Sequence, residues 1–202
     1  ETRKEEIKNL KKEIGVPDSD TKVFLFVSRL LKEKGIIELI DGFVKAQKEA
    51  IAPIYLLLVG WSDEENPSSV TPKELQELTK DYSNIKFLGK RSDVDLLIAS
   101  CDVSIMPTYY REGTPRFLLE SMAMGKPIIT TDMPGCNHLI PSGENGELIK
   151  AKSVSAIKNA ILRILERDLI DLGMQSKELY KGKFSENKVY PAILKLYKSI
   201  LN

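Results

Sequence analysis

The chain has few of the residues that usually mark metal, disulfide or histidine chemistry: two cysteines, one histidine and one tryptophan in 202 residues. Cys101 and Cys136 have neither CxxC spacing nor a neighbouring histidine cluster, which argues against a zinc site or disulfide framework and for buried or free thiols in a reducing compartment. Long apolar runs are missing too. Nothing approaches the roughly 20 residues of a membrane span, and the opening ETRKEEIKNLKKE lacks the apolar centre of a signal peptide, so the expected location is cytoplasmic. Nor is there charge of one sign: 30 Lys plus Arg against 29 Asp plus Glu leave a net +1. No overall field draws the protein to nucleic acid, and any anion site must be local. Internal repeats and low-complexity tracts are absent, and 42% hydrophobic residues suffice for one full core over residues 1–202.

What is present is an alternation of two periods. Val23 to Val27 and Ile54 to Val59 are too apolar for a strand with one wet face, and shorter runs recur at Ile85 to Leu88, Val103 to Met106, Pro127 to Thr130 and Gly146 to Ile149. Between them lie amphipathic helical stretches at Gly35 to Ala50, Pro72 to Lys80, Val94 to Ala99 and Phe117 to Met124. The second is opened by the capping box Thr71-Pro72-Lys73-Glu74. This alternation predicts an α/β fold, a Rossmann-like doubly wound parallel sheet of about six strands with helices on both faces. The first 14 residues read as a helix stopped by Gly15 and Pro17. The tail reads as helices at Ser153 to Glu166, Leu169 to Tyr180 and Asn187 to Leu201.

Chemistry concentrates just after the predicted strands, where such sheets bind ligands. In Glu112 to Thr131, EGTPRFLLESMAMGKPIITT, a polar loop interrupted by proline enters a short helix that carries a second carboxylate, Glu120. The unpaired N–H groups and partial positive charge of a helix N-terminus make Gly113, Thr114 and the residues after Pro115 a cradle for phosphate oxygens. Arg29 and Lys34 flank another helix start after the first strand and supply two cations. Paired acids also suit a glycosidase, but a simple glycosidase has no use for two cations and a helix N-terminus.

The stretch from Glu112 to Glu120 resembles the E-x7-E signature of retaining glycosyltransferases with the GT-B fold, the family 4 group (glycosyl transferases group 1). Ser28-Arg29-Leu30-Leu31-Lys32-Glu33-Lys34-Gly35 resembles that family's G-R-L-x-x-x-K-G element, with Ser28 in place of glycine, and Tyr109 to Arg116 resembles the Y-Y-R-E-G-x-P-R form of bacterial polysaccharide enzymes. The resemblance covers roughly residues 16–200 and implies the C-terminal, donor-binding half of a two-domain enzyme that uses a nucleotide-diphosphate sugar, with UDP as the expected nucleotide.

It implies a diphosphate clamp at Arg29 and Lys34 that needs no metal, the transferred sugar and diphosphate at Glu112 and at Gly113, Thr114, Pro115, Arg116 and Phe117, and the ribose hydroxyls at Glu120. Phe87, Leu88 and Gly89 are expected to line the base through main-chain groups. Both cations are expected at the rim, where substitution leaves folding nearly intact. Trp61 is expected to pack rather than stack on a base. His138 stands where the family usually has Glu and is read as structural.

The partners implied are a nucleotide sugar, a saccharide or lipid-linked acceptor and an N-terminal GT-B domain not found in this sequence. Residues 1–15 then read as an interdomain linker helix and 185–202 as the helix that crosses back to the other domain. The whole enzyme is placed in the cytoplasm, with room for peripheral association at the inner face of the membrane. A non-catalytic sugar-nucleotide-binding module and an epimerase of UDP-sugars are the rival readings; the latter would be expected to bring further acids, bases or histidines.

Overall fold

The computed structural model describes residues 2–17, 20–63 and 65–201; Glu1, Asp18, Ser19, Glu64 and Asn202, which fall within stretches assigned above, lie outside the described residues. Six strands form one parallel sheet: β1 (Lys22–Val27), β2 (Ile54–Val59), β3 (Ile85–Phe87), β4 (Val103–Met106), β5 (Ile128–Thr131) and β6 (Gly146–Ile149), in the order β3-β2-β1-β4-β5-β6. This is the doubly wound Rossmann order that the alternation of strands and helices predicts. β1 and β2 pair over their whole length, from Lys22 opposite Ile54 to Val27 opposite Val59. Every residue of β2 is buried, as expected for a central strand covered on both faces.

The helices are α1 (Thr2–Ile14), α2 (Ile36–Ala46), α3 (Pro72–Thr79), α4 (Val94–Ser100), α5 (Arg116–Ala123), α6 (Val154–Leu165), α7 (Leu169–Leu179) and α8 (Glu186–Leu201). α2 packs on α6, while α1 packs on α4 and α5 on α7, giving a layer on each side of the sheet. The close crossing of α2 and α6 requires Gly42, where a Cβ would lie 2.6 Å from Ile157 Cγ2. Thr71 and Glu74 make the capping box in both directions: the Thr71 hydroxyl accepts from Glu74 N–H and the Glu74 carboxylate accepts from Thr71 N–H. α1 stops at Gly15 (φ +80), with Val16 N–H bonded back to the Lys11 carbonyl.

Several details depart from the sequence reading by a residue or more, and three bear on the argument. α2 ends at Ala46, four residues before Ala50. α5 begins at Arg116 because Pro115 is its N-cap. Between α7 and α8, Tyr180–Phe184 winds as a π-helix turn that periodicity gives no sign of. α8 has the expected apolar stripe, but every described residue in it is exposed, including Ile193, Tyr197 and Ile200. Both cysteines are buried and free, as expected.

Candidate functional site

The winding order explains why two distant segments meet. β1 is hydrogen-bonded on one side to β2 and on the other to β4, so the chain direction of the crossovers reverses between β1 and β4. At that switch point the connections leaving neighbouring strands splay apart and open a crevice at their carboxyl ends. The connection from β1 carries Ser28, Arg29 and Lys34, and the connection from β4 carries Tyr109 to Pro115.

The two connections are joined through one carbonyl. Glu33 C=O accepts from Tyr109 N–H (2.8 Å) and Tyr110 N–H (3.2 Å), and lies 3.1 Å from the Thr108 hydroxyl. That hydroxyl, buried, is also 3.2 Å from Glu112 Oε1. Gly35, in the left-handed region at φ +74, closes the turn; a Cβ there would sit 2.2 Å from the Pro107 carbonyl oxygen. The Lys34 ammonium is thereby delivered to Glu112, to which it donates a hydrogen bond, and it also lies 5.3 Å from the centre of the Tyr110 ring. The side chains of the pair retain only 10% and 14% exposure. Removing either partner of a pair this shielded would strand the other in a poorly solvated place. This corrects the expectation that Lys34 sits at the rim, the ground on which its substitution was expected to leave folding nearly intact.

Arg29 does sit at the rim, at 47% exposure, with Nη1 3.6 Å from Asp63 Oδ2. Ser28 makes its turn without a positive φ, since Lys152 is the one non-glycine with positive φ among the described residues. The glycine missing from the family pattern is therefore not needed for backbone freedom.

The 112–116 loop leads into an uncapped helix. No side chain caps α5 at Pro115, so the N–H groups of its first turn, from Arg116 and Phe117 onward, have no side-chain partner there. The loop is backed by Gly135 (φ +88), where a Cβ would fall 2.2 Å from the Glu112 carbonyl oxygen and 2.3 Å from that of Gly113. Gly113 itself has open space where a Cβ would be. Uncapped N–H groups beside an ammonium at an open loop are chemistry suited to an anion with several oxygens. Glu120 lies on α5 at 45% exposure, one helical turn into the helix, its Oε1 accepting from Arg116 Nη2 at 3.2 Å.

Some expectations are modified. Leu88 N–H is bonded to the Leu58 carbonyl, and the Gly89 carbonyl to Gly60 N–H, so two of the main-chain groups expected to read a base are already engaged. Trp61 is not packed into the core: it is 47% exposed, with the Lys90 ammonium 5.4 Å from its ring centre. His138 reaches the anion loop, 3.5 Å from the Thr114 hydroxyl, and its ring rests on Phe184. Thr108, Gly35 and Gly135 were not anticipated as supports. The signal for Gly135 was its place in a Pro-Gly turn after β5; Thr108 had none beyond following a strand.

Near the pair, Cys136 Sγ is pushed up to about 11 by burial, against the opposing effect of the Thr130 hydroxyl. The Glu33 carboxyl is held below its ordinary value first by the Ser68 hydroxyl (2.5 Å) and next by its own N–H. Among the described residues no group of three or more His, Cys, Asp or Glu is placed to hold a metal, and no helix is long and apolar enough to cross a membrane.

Comparison with known proteins gives consistent matches. The family model described as glycosyl transferases group 1 matches residues 7–181. The N,N'-diacetylbacillosaminyl-diphospho-undecaprenol alpha-1,3-N-acetylgalactosaminyltransferase of Campylobacter jejuni is 29% identical over 180 residues, covering 89% of this chain and 45% of that protein. The N-acetyl-alpha-D-glucosaminyl L-malate synthase of Bacillus anthracis is 26% identical over 200 residues, covering 98% of this chain and 50% of that protein. Among solved structures, Anabaena Alr3699/HepE in complex with UDP superposes with a TM-score of 0.84 at 26% identity, covering 96% of this chain and 53% of the other. The chain thus spans about half the length of the relatives it matches.

Proposed function

This chain belongs to the glycosyl transferases group 1 family, and we propose that it is the donor-binding half of a retaining enzyme that transfers a sugar from a UDP-sugar to a saccharide or lipid-linked acceptor in cell-surface polysaccharide synthesis. The observation that carries the reading is the shielded Lys34–Glu112 pair beside the uncapped start of α5. Relatives support the substrate classes by their names: the Campylobacter protein acts on a diphospho-undecaprenol-linked sugar, and the Anabaena structure holds UDP.

In this reading the leaving group is a nucleoside diphosphate, whose oxygens gain negative charge as the glycosidic bond breaks. Lys34, Arg29 and the N–H groups of Gly113 to Phe117 receive that charge in a site organised before the reaction, so little reorganisation is needed when the charge develops. The fixed N–H groups of Gly113, Thr114, Arg116 and Phe117 and the two cations take the place of a divalent ion. Glu112, held by its hydrogen bond from Lys34, accepts hydrogen bonds from the transferred sugar and holds it against the diphosphate. Glu120 accepts from the ribose. The acceptor belongs to a second domain, so the isolated chain binds donor but turns over little or nothing. The apolar stripe of α8, exposed here, is where that domain packs.

Calorimetry on the 202-residue chain tests the proposal. UDP should bind with a dissociation constant in the micromolar to millimolar range, about −4 to −8 kcal/mol, uridine far more weakly, and EDTA should change neither. Equal affinity for UDP and uridine, or strict dependence on a divalent ion, refutes it.

A further inference from the structure

The connection from β2 to α3 does more than link two elements. Its described residues lie along the Arg29–Glu33 turn and bond to it at successive positions. Leu30 N–H donates to the Trp61 carbonyl (3.0 Å), Val70 N–H to the Leu30 carbonyl (2.7 Å) and Lys32 N–H to the Ser68 carbonyl (2.9 Å). Leu31 and Ser69 form an isolated antiparallel bridge, and the Ser68 hydroxyl donates to Glu33 Oε1 at 2.5 Å. Arg29, the first residue of the turn, is met by side chain: its guanidinium faces Asp63 at 3.6 Å. Asp63 is itself fixed at both backbone ends, its N–H donating to the Ser69 hydroxyl (2.9 Å) and its carbonyl accepting from Asn66 N–H (2.9 Å).

The strap therefore holds one side of the turn while the β4 connection holds the other through the Glu33 carbonyl. The two cations differ in how they are held. Lys34 is shielded by Glu112 and Tyr110, whereas Arg29 is half-exposed and Asp63 is the acid facing it. A free arginine samples many rotamers and loses that freedom on meeting an anion. An acid that already limits the sampling lowers this cost, which is how preorganisation raises affinity.

We infer that Asp63 is a positioning residue for the diphosphate clamp: it holds the Arg29 guanidinium at the crevice edge so that the donor's diphosphate meets an ordered cation. The inference rests on the clamp role given to Arg29 above. Its geometry is tailored to a ligand with more than one anionic oxygen, since Arg29 can turn one edge to Asp63 and offer the remaining N–H groups of its fork outward.

The test is a double-mutant cycle on UDP and uridine binding with Arg29→Ala, Asp63→Asn and the pair together. Asp63→Asn keeps the shape and the backbone hydrogen bonds and removes the charge. It should weaken UDP about two- to fivefold, the span a partly exposed ion pair gives, leave uridine unchanged, and have no further effect in the Arg29→Ala background. Asp63→Glu should recover most of the loss. Tighter or unchanged UDP binding in Asp63→Asn, alongside a selective UDP loss in Arg29→Ala, overturns the positioning role and leaves the clamp standing. An equal Asp63→Asn loss in both backgrounds also overturns it, since the strap would then act on the fold rather than through Arg29. If Arg29→Ala weakens UDP and uridine alike, the clamp itself is wrong.

Discussion

Replacing Lys34 by Met should destabilise the protein, whereas replacing Arg29 by Ala should not, although both are read as clamp cations. Met retains the stem volume of lysine but leaves Glu112, whose side chain is 14% exposed, without its ammonium. Breaking a fully buried pair costs about 3–5 kcal/mol. Glu112 keeps the Thr108 hydroxyl at 3.2 Å and some water, so the loss should be nearer that of one charge-assisted hydrogen bond, about 1.5–3 kcal/mol. For a chain of this size each kcal/mol moves Tm by about 2–4 °C, so Lys34→Met should melt about 3–12 °C lower. Arg29 is 47% exposed and faces Asp63 at 3.6 Å, a pair of the kind worth about 0–1 kcal/mol, so Arg29→Ala should melt within a few degrees of the parent. Adding Glu112→Gln to Lys34→Met should recover part of the loss, because the uncompensated charge is gone. Urea unfolding followed by circular dichroism measures all four chains. If Lys34→Met and Arg29→Ala unfold at the same midpoint, or the second substitution recovers nothing, the pair does not hold the site together as argued.

The contrast between those two cations also marks how far the sequence could be read. The sheet was legible because parallel strands buried on both faces must be continuous apolar runs: Ile54–Val59, Val103–Met106 and Gly146–Ile149 lie where the runs place them. The capping box at Thr71 and the stop at Gly15 were legible because they are local, each satisfied within a few residues. The clamp segments were legible as motifs, but their environment was not. Whether Lys34 points to water or to Glu112, 78 residues further along the chain, depends on the Glu33 carbonyl receiving the Tyr109 and Tyr110 N–H groups from the connection after β4, and no period in the sequence encodes that. The surroundings of Trp61 were illegible for a related reason. The ring, expected to pack rather than stack, is 47% exposed and faces the Lys90 ammonium at 5.4 Å, a contact between two separate connections that no local pattern encodes.

Three further outcomes follow from single features of the site. Gly35→Ala should abolish UDP binding and lower stability, because φ +74 costs a side chain about 1–2 kcal/mol and the new Cβ would lie 2.2 Å from the Pro107 backbone oxygen; calorimetry and a melt together check it. Cys101 and Cys136 are each pushed up to about 11 by burial, above the thiol value of the unfolded chain, so the unfolded state ionises first as pH rises. Their contribution is intact below about pH 8.5 and is lost towards about 11, at as much as ~2–3 kcal/mol per thiol, so urea midpoints in reducing buffer should fall less steeply with pH in Cys101→Ala/Cys136→Ala than in the parent. Glu120→Gln tests the ribose assignment. Its carboxylate is 45% exposed beside Arg116, so the substitution should leave folding within about 0.5 kcal/mol, the usual range for a surface position. An ionised carboxylate can accept from both ribose hydroxyls, and an amide offers one oxygen in place of two. UDP should therefore lose about 1–3 kcal/mol of binding, while 2′-deoxy-UDP, which has already given up one of those donors, should lose less. A glutamate whose role is to pair with Arg116 along the helix has no means of sensing a ribose hydroxyl. Equal losses for the two nucleotides would remove Glu120 from the donor site and leave the clamp at Arg29 and Lys34 as the sole support for where the nucleotide lies.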